Sequence, residues 1–207
     1  MPSVMPKIFI VDDDDSVRKG LERLLKSLDY RVQSFACAQE FLDQASVKGV
    51  CVLILDVRMP KFSGLDLQQE MLRRNMSLPV IFITGHGDIP MSVRAIKSGA
   101  IDFLSKPFKE ETLINAIEQA VVKSKGLQKE YLKYQAIRNR INVLTERELQ
   151  VMKWVITGML NKQIALKLGI SEKTIKVHRG RVMQKMEVVS VAELVRLTEK
   201  VGIKPSS

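Results

Sequence analysis

Cysteine is scarce in this chain: Cys37 and Cys51 are the only two among 207 residues. That scarcity excludes a disulfide framework. With Cys51 inside the apolar run "VCVLILD", both read as buried thiols of a reducing compartment. Long apolar runs are missing too. None approaches the roughly 20 residues that a membrane-spanning helix needs, and "MPSVMPK" lacks the apolar core of a signal peptide. A cytoplasmic protein with no membrane partner is the expectation. Internal repeats and low-complexity tracts are also lacking.

What the chain has is apolar content, 45% of its residues, enough for packed cores, and a length that suits two small domains. Its net charge of +10 is unevenly placed. Residues 1–124 carry 16 Lys and Arg against 16 Asp and Glu, whereas residues 125–207 carry 17 against 7. All the excess positive charge lies in the C-terminal part. A basic domain of this kind suits a polyanion, and nucleic acid before membrane, because no amphipathic anchor is evident.

The first 124 residues alternate two periodicities. Strands are predicted at 7–11, 30–35, 50–55, 79–84 and 101–105, with helical patterns between them, as in Ser16–Leu28, where Val17, Leu21, Leu24, Leu25 and Leu28 share a face. Such alternation predicts a five-stranded parallel sheet covered on both sides, an α/β fold. From about Lys109 a further helical pattern runs toward residue 140 and is weakened at Gly126, which leaves either one long helix or a helix and a flexible tether; 123–143 is read as a partly helical linker. Beyond it the pattern is all-α. "TERE" offers Thr145 and Glu148 as a capping box, Asn161 opens a short segment, Ser171 caps a third helix, and "SVAE" repeats the box before a fourth. Gly169, in the short connection between the second and third helices, marks a helix-turn-helix.

Four consecutive carboxylates, Asp12 to Asp15, follow the first strand in "FIVDDDDS". They can form a solvated turn with a helix cap, or some can hold a divalent cation. In open parallel sheets ligands bind beyond the carboxyl ends of the strands. That rule brings together Asp12, Asp13, Asp56, Thr84 and Lys106. As a phosphoryl-accepting site, Asp56 would be the nucleophile, Asp12 and Asp13 would hold Mg2+, and Thr84 and Lys106 would contact phosphoryl oxygens. Asp14 and Asp15 then belong to the helix start.

The motifs "VDDD", "LILDVRMPKFSGLDL", "VIFITGHGD" and "AIDFLSKPF" resemble those of response-regulator receiver domains, over residues 7 to about 122. The resemblance implies a flavodoxin-like fold with strand order 2-1-3-4-5, phosphorylation of Asp56, and metal held by Asp12, Asp13, Asp56 and the backbone carbonyl of Arg58. It also makes Thr84, Phe103 and Lys106 the phosphoryl-binding and switch residues, with Phe where Tyr is more familiar.

In the third C-terminal helix, "SEKTIKVHRGRVMQKM", Ile175, Val182 and Met186 share one side, and Lys173, Lys176, Val177, Gly180 and Gln184 the other. This region resembles the LuxR-type helix-turn-helix, and the pairing matches the NarL/FixJ class. The resemblance implies DNA contacts from Lys173, Thr174, Lys176, Val177, His178 and Arg181, with His178 in a structural or phosphate-contacting role. The expected organisation is a receiver at 1–122, a linker at 123–143 and a DNA-binding domain at 144–204. The expected function is a two-component response regulator, not an enzyme. A sensor histidine kinase would phosphorylate it, and it would dimerise through residues from about Met91 to Ala120. It would then bind double-stranded promoter DNA and regulate transcription, activation being the commoner outcome, with RNA polymerase a partner. Two rivals are a receiver used only for dimerisation and a phosphohydrolase. Arg58 speaks against the second, since aspartate phosphatases commonly carry an Asp there.

Overall fold

The computed structural model describes residues 5–85 and 89–206. His86, Gly87 and Asp88, part of the "VIFITGHGD" motif, lie outside the described residues. Two compact units divide the chain, Met1–Lys129 and Glu130–Ser207.

In the first unit, strands β1 (Lys7–Val11), β2 (Arg31–Phe35), β3 (Cys51–Asp56), β4 (Val80–Thr84) and β5 (Asp102–Ser105) pair in parallel in the order β2-β1-β3-β4-β5. Each lies within one residue of its predicted bounds. The helices are α1 (Asp15–Ser27), α2 (Ala38–Gln44), α3 (Gly64–Arg73), α4 (Ile89–Lys97) and α5 (Glu110–Asn142). Alternate strand residues serve opposite layers, because successive side chains point to opposite faces. Phe9, Val11, Leu53, Leu55 and Phe82 pack with Phe41 of α2, Leu67 and Met71 of α3 and Ala95 of α4. Ile8, Ile10, Val52, Ile54 and Ile81 pack with Leu21 and Leu25 of α1 and with Leu113, Ile117 and Ala120 of α5. A central strand sandwiched this way must be apolar throughout, and every residue of β3 is buried.

Three expectations need correction. Cys51 is buried but Cys37 is exposed. The latter stands at the N-cap of α2 in extended backbone, outside the packed layers. Leu28, expected on the packed face of α1, is its C-cap and is 39% exposed. The stretch expected as a partly helical linker is helical through Asn142. Gly126 costs about 1 kcal/mol relative to Ala, yet Lys, Gln, Leu and Glu around it favour the helix, and Lys133 pairs with Glu130 one turn away. Ser124, buried at 4% exposure, also ties this helix to the sheet by accepting a 2.9 Å hydrogen bond from the Cys51 amide.

The second unit holds the end of α5 and four helices, α6 (Glu146–Val155), α7 (Asn161–Leu168), α8 (Glu172–Lys185) and α9 (Val191–Lys200). Its core joins Val151, Met152 and Val155 to Ile164, Ile175, Val182, Met186 and Leu194, and takes in Ile137 and Ile141 from α5. Thr145 and Glu148 form the predicted capping box, and Ser171 accepts from the Thr174 amide. At "SVAE" the box is half made: Ser190 accepts from the Glu193 amide, while the Glu193 carboxylate takes the amide of Val189 instead.

Candidate functional site

The parallel register sets the site. Val11 stands opposite Leu55, so the next residue on each strand brings Asp12 beside Asp56 at the carboxyl edge. Both are buried, at 1% and 5% exposure. Lys106, just past β5, closes over them. Its Nζ lies 2.7 Å from Asp12 Oδ2 and 2.8 Å from Asp56 Oδ1, and its amide donates to the Thr84 carbonyl at 2.7 Å. The remaining oxygens are occupied by backbone: Asp56 Oδ2 accepts from the Arg58 amide and Asp12 Oδ1 from the Asp14 amide. Thr84 is buried at the end of β4, opposite Ser105. Phe103 is half-buried, its ring 6.3 Å from that of Phe82.

Burial pushes the Asp56 carboxyl above the ordinary carboxylate range. The hydrogen bond and charge of Lys106 oppose that rise, and the neighbouring Asp12 charge adds to it. For Lys106 burial acts downward, but the hydrogen bonds to Asp12 and Asp56 outweigh it and raise the ammonium above its usual value. Two carboxylates thus share one ammonium, and the pocket is net negative.

The four acids divide as the sequence allows. Asp14 is the N-cap of α1, accepting from the amides of Ser16 and Val17, and Asp15 lies in the first turn. Asp13 is exposed and lines a cleft of about 600 Å3 with Arg58 and residues of α3 and α4. Hard oxygen donors around a net negative pocket fit a divalent cation. Among the described residues no three His, Cys, Asp or Glu side chains form a ready metal cage, but Mg2+ needs only one or two carboxylates and keeps several waters.

Two supporting residues escaped the sequence reading. Arg18 reaches back from α1 to donate to the Asp12 carbonyl at 2.7 Å while pairing with Asp15, which braces the acidic loop. Gly64 opens α3 against the Asp56 backbone, where a Cβ would meet the carbonyl oxygen at 2.2 Å. The "SG" pair before a helical run was the available signal for the latter.

In the second unit, α7 ends at Gly169 in the left-handed conformation (φ 64°), which allows the tight turn into α8. Arg179 of α8 donates to Asn161 at the start of α7, fixing the two helices. Ile175, Val182 and Met186 are fully buried. The opposite face leaves Lys173, Thr174, Lys176, Val177, Gly180, Arg181 and Gln184 exposed, as the helical spacing predicts. His178 is half-buried, and its Nδ1 is interior with no hydrogen-bond partner among the described residues.

A sheet of this order with an acidic edge, followed by a helix-turn-helix, defines a DNA-binding response regulator. The chain matches the response regulator receiver domain over residues 8–118 and the bacterial regulatory proteins of the luxR family over residues 142–198. It belongs to the response regulators of the NarL/FixJ class. It is 48% identical to response regulator protein TmoT of Ectopseudomonas mendocina, over 93% of this chain and 88% of that one. It is 44% identical to nodulation protein W of Bradyrhizobium diazoefficiens, over 95% and 86%, and 41% identical to transcriptional regulatory protein FixJ of Rhizobium meliloti, over 96% and 98%. Among solved structures it is similar to response regulator StyR, with a TM-score of 0.76 and 46% identity over 95% of this chain and 100% of that one. Full-length FixJ from B. japonicum gives 0.56 and 40%, over 95% and 97%. Among the described residues no helix is long and apolar enough to cross a membrane.

Proposed function

We propose that this regulator accepts a phosphoryl group from a sensor histidine kinase onto Asp56, dimerises, and binds double-stranded promoter DNA to regulate transcription in the cytoplasm. Activation through RNA polymerase is the direction we assign. The observation that carries the reading is the buried pair Asp12 and Asp56 sharing Lys106. An ionised carboxylate held out of water, with one oxygen on an ammonium, is a nucleophile kept in place by costly burial. Asp12, Asp13, Asp56 and the Arg58 carbonyl would hold Mg2+, which when bound neutralises charge that develops during phosphoryl transfer. Lys106 Nζ, already at Asp56 Oδ1, would bind a phosphoryl oxygen there, and Thr84 would donate its hydroxyl to another. Movement of Thr84 would let Phe103, half-buried against Phe82, pack further in and change the surface of α4, β5 and α5.

Support for dimerisation between Met91 and Ala120 comes from α4. Val93 and Ile96 are 43% and 46% exposed within that stretch, and Ile89, just before it, is 80% exposed at the same helical spacing, an apolar stripe that a second copy would cover. For DNA, the exposed face of α8 would enter the major groove, with Lys176 and Val177 at base edges and Lys173, Thr174 and Arg181 at phosphates or flanking bases. His178 has only Nε2 to offer DNA, since Nδ1 faces inward. The test is intact-protein mass after incubation with acetyl phosphate and Mg2+. One added phosphoryl group, absent from Asp56→Asn and from the sample without metal, is expected. Equal addition to Asp56→Asn would reject Asp56 as the acceptor.

A further inference from the structure

Apolar packing holds α7 at its middle rather than along its length. Its buried residues are Ile164 and Ala165, adjacent in sequence, with Leu168 partly covered, whereas α8 buries Ile175 and Val182 about two turns apart. A helix held at one point keeps its place but can pivot about it. Two arginines close off that pivot, one at each end. Arg147 of α6 donates to the Leu168 carbonyl at 2.9 Å, one of the carbonyls that a helix C-terminus leaves without an intrahelical partner. The other arm of the same guanidinium is held by Gln150 at 2.8 Å. At the opposite end Arg179 of α8 donates to Asn161 Oδ1, on the first residue of α7, at 3.1 Å. Both arginines are half-buried, unlike the exposed Lys173, Lys176 and Arg181.

We propose that Arg147 and Arg179 are positioning residues for DNA recognition: by pinning the two ends of α7 they fix its angle to α8, without touching DNA themselves. This rests on the reading of α8 as the helix that enters the major groove. In a helix-turn-helix the first helix crosses the phosphate backbone while the second lies in the groove. Both can dock together only at one mutual angle. With a pin removed, α7 samples other angles, the binding-competent fraction falls, and Kd rises by the inverse of that fraction. The phosphates neutralised in the complex remain the same in number, so the salt dependence of binding stays as it was.

The experiment measures Kd of the full chain for a duplex carrying a site selected from random-sequence DNA, at several salt concentrations. Arg147→Ala, Arg179→Ala, Asn161→Ala, the Arg179→Ala and Asn161→Ala pair, and Arg179→Lys are set beside the unmodified chain. Circular dichroism and thermal unfolding give the folded fraction of each at the assay temperature. Each arginine-to-alanine variant should bind about tenfold more weakly at an unchanged salt slope, the scale of one charge-assisted hydrogen bond. Asn161→Ala should lose as much as Arg179→Ala, the pair little more than either, and Arg179→Lys should recover part of the loss. Unchanged affinity, a salt slope lower by about one for each arginine as for a phosphate contact, additive losses in the pair, or a loss that disappears once Kd is corrected for unfolded protein would each overturn the pins. A sequence preference left unmoved by both Lys176→Ala and Val177→Ala would instead overturn the reading of α8, and the pins with it.

Discussion

Gly64 and Asp56 meet backbone to backbone: a Cβ on Gly64 would lie 2.2 Å from the Asp56 carbonyl oxygen and 3.1 Å from its carbonyl carbon. The Gly64 amide also donates to the Val57 carbonyl at 2.9 Å, so the start of α3 is fixed to the end of β3. No side-chain rotation relieves such a contact, because the obstructing atoms belong to the main chain. Gly64→Ala should cost about 1–3 kcal/mol, as overpacking does, and displace the Asp56 carboxylate from Lys106. Thermal unfolding and the rate of acetyl phosphate labelling would both report it. A variant with full stability and full labelling would show that the loop yields without moving Asp56.

Lys106 is the only cation paired with the carboxylates of Asp12 and Asp56 among the described residues. Lys106→Met leaves two buried carboxylates unpaired, and because the lysine side chain is 23% exposed we expect a loss of about 2–3 kcal/mol at neutral pH rather than the full cost of a broken buried pair. Repeating the change in an Asp56→Asn background should cost less, since one carboxylate is already neutral. Equal losses in both backgrounds would mean that Lys106 acts by packing alone.

For Asp56 itself the sign follows from its raised pKa. A carboxyl whose folded-state value exceeds its unfolded value favours folding below the unfolded value, and the contribution is lost as pH rises through the folded one. At neutral pH the ionised carboxylate therefore works against the fold. Asp56→Asn should raise the melting temperature of the receiver at pH 7 by roughly 3–5 °C, corresponding to about 1 kcal/mol. The gain should vanish in acid, where the wild-type carboxyl is protonated as well. Calorimetry at both pH values reads it, and a lower melting temperature at pH 7 would show the Lys106 pair outweighing burial.

Glu148 works in the opposite direction. Its carboxylate accepts from Lys185 Nζ at 2.6 Å and from the Thr145 amide at 2.9 Å, and the Lys185 contact leads in holding it below the usual range. Here stability is present above the unfolded value and is lost as pH falls through the folded one, so the helical unit should weaken only below about pH 4.5. Glu148→Gln should cost about 1–2 kcal/mol at neutral pH and flatten that acid dependence. Chemical denaturation across pH 3 to 7 would reveal either.

On α8, Lys173→Ala should weaken binding to all DNA sequences and reduce the salt slope by about one, as expected for one phosphate contact. Val177→Ala should change the preferred bases and leave the slope alone. Titrations at several salt concentrations, on a site selected from random-sequence DNA, separate the two effects. A sequence preference unmoved by Val177→Ala would place base readout elsewhere.

Strand ends were legible because the rule for parallel sheets depends only on order and hydrophobic pattern. Asp12, Asp56, Thr84 and Lys106 could be gathered that way. Their hydrogen bonds could not, since Lys106 reaches partners 94 and 50 residues away and the closure is set by register. The capping residues Asp14, Thr145 and Ser171 were readable for the opposite reason, as they act within a few residues of themselves. Cys37 misled because a residue's average preference for burial says nothing about a position at a helix start. Arg18 and Gly64 add no titratable group to the cluster of Asp12, Asp56 and Lys106. Their contributions are a brace to the Asp12 carbonyl and a missing methyl, and both are visible only once backbones are adjacent.

The continuous helix α5 bears on how the protein should be dissected in the laboratory. Its last turns supply Ile137 and Ile141 to the second core, and Arg140 donates to the Met186 carbonyl and pairs with Glu187. A fragment cut at Leu144, the natural choice from the helix-turn-helix motif, would strip away those groups and expose the apolar surface they cover. Poor DNA binding or aggregation by such a fragment would then report damaged packing, and the comparison with intact protein would be mistaken for the loss of help from the receiver. A cut between Lys125 and Glu130, where most side chains face solvent, leaves both cores whole.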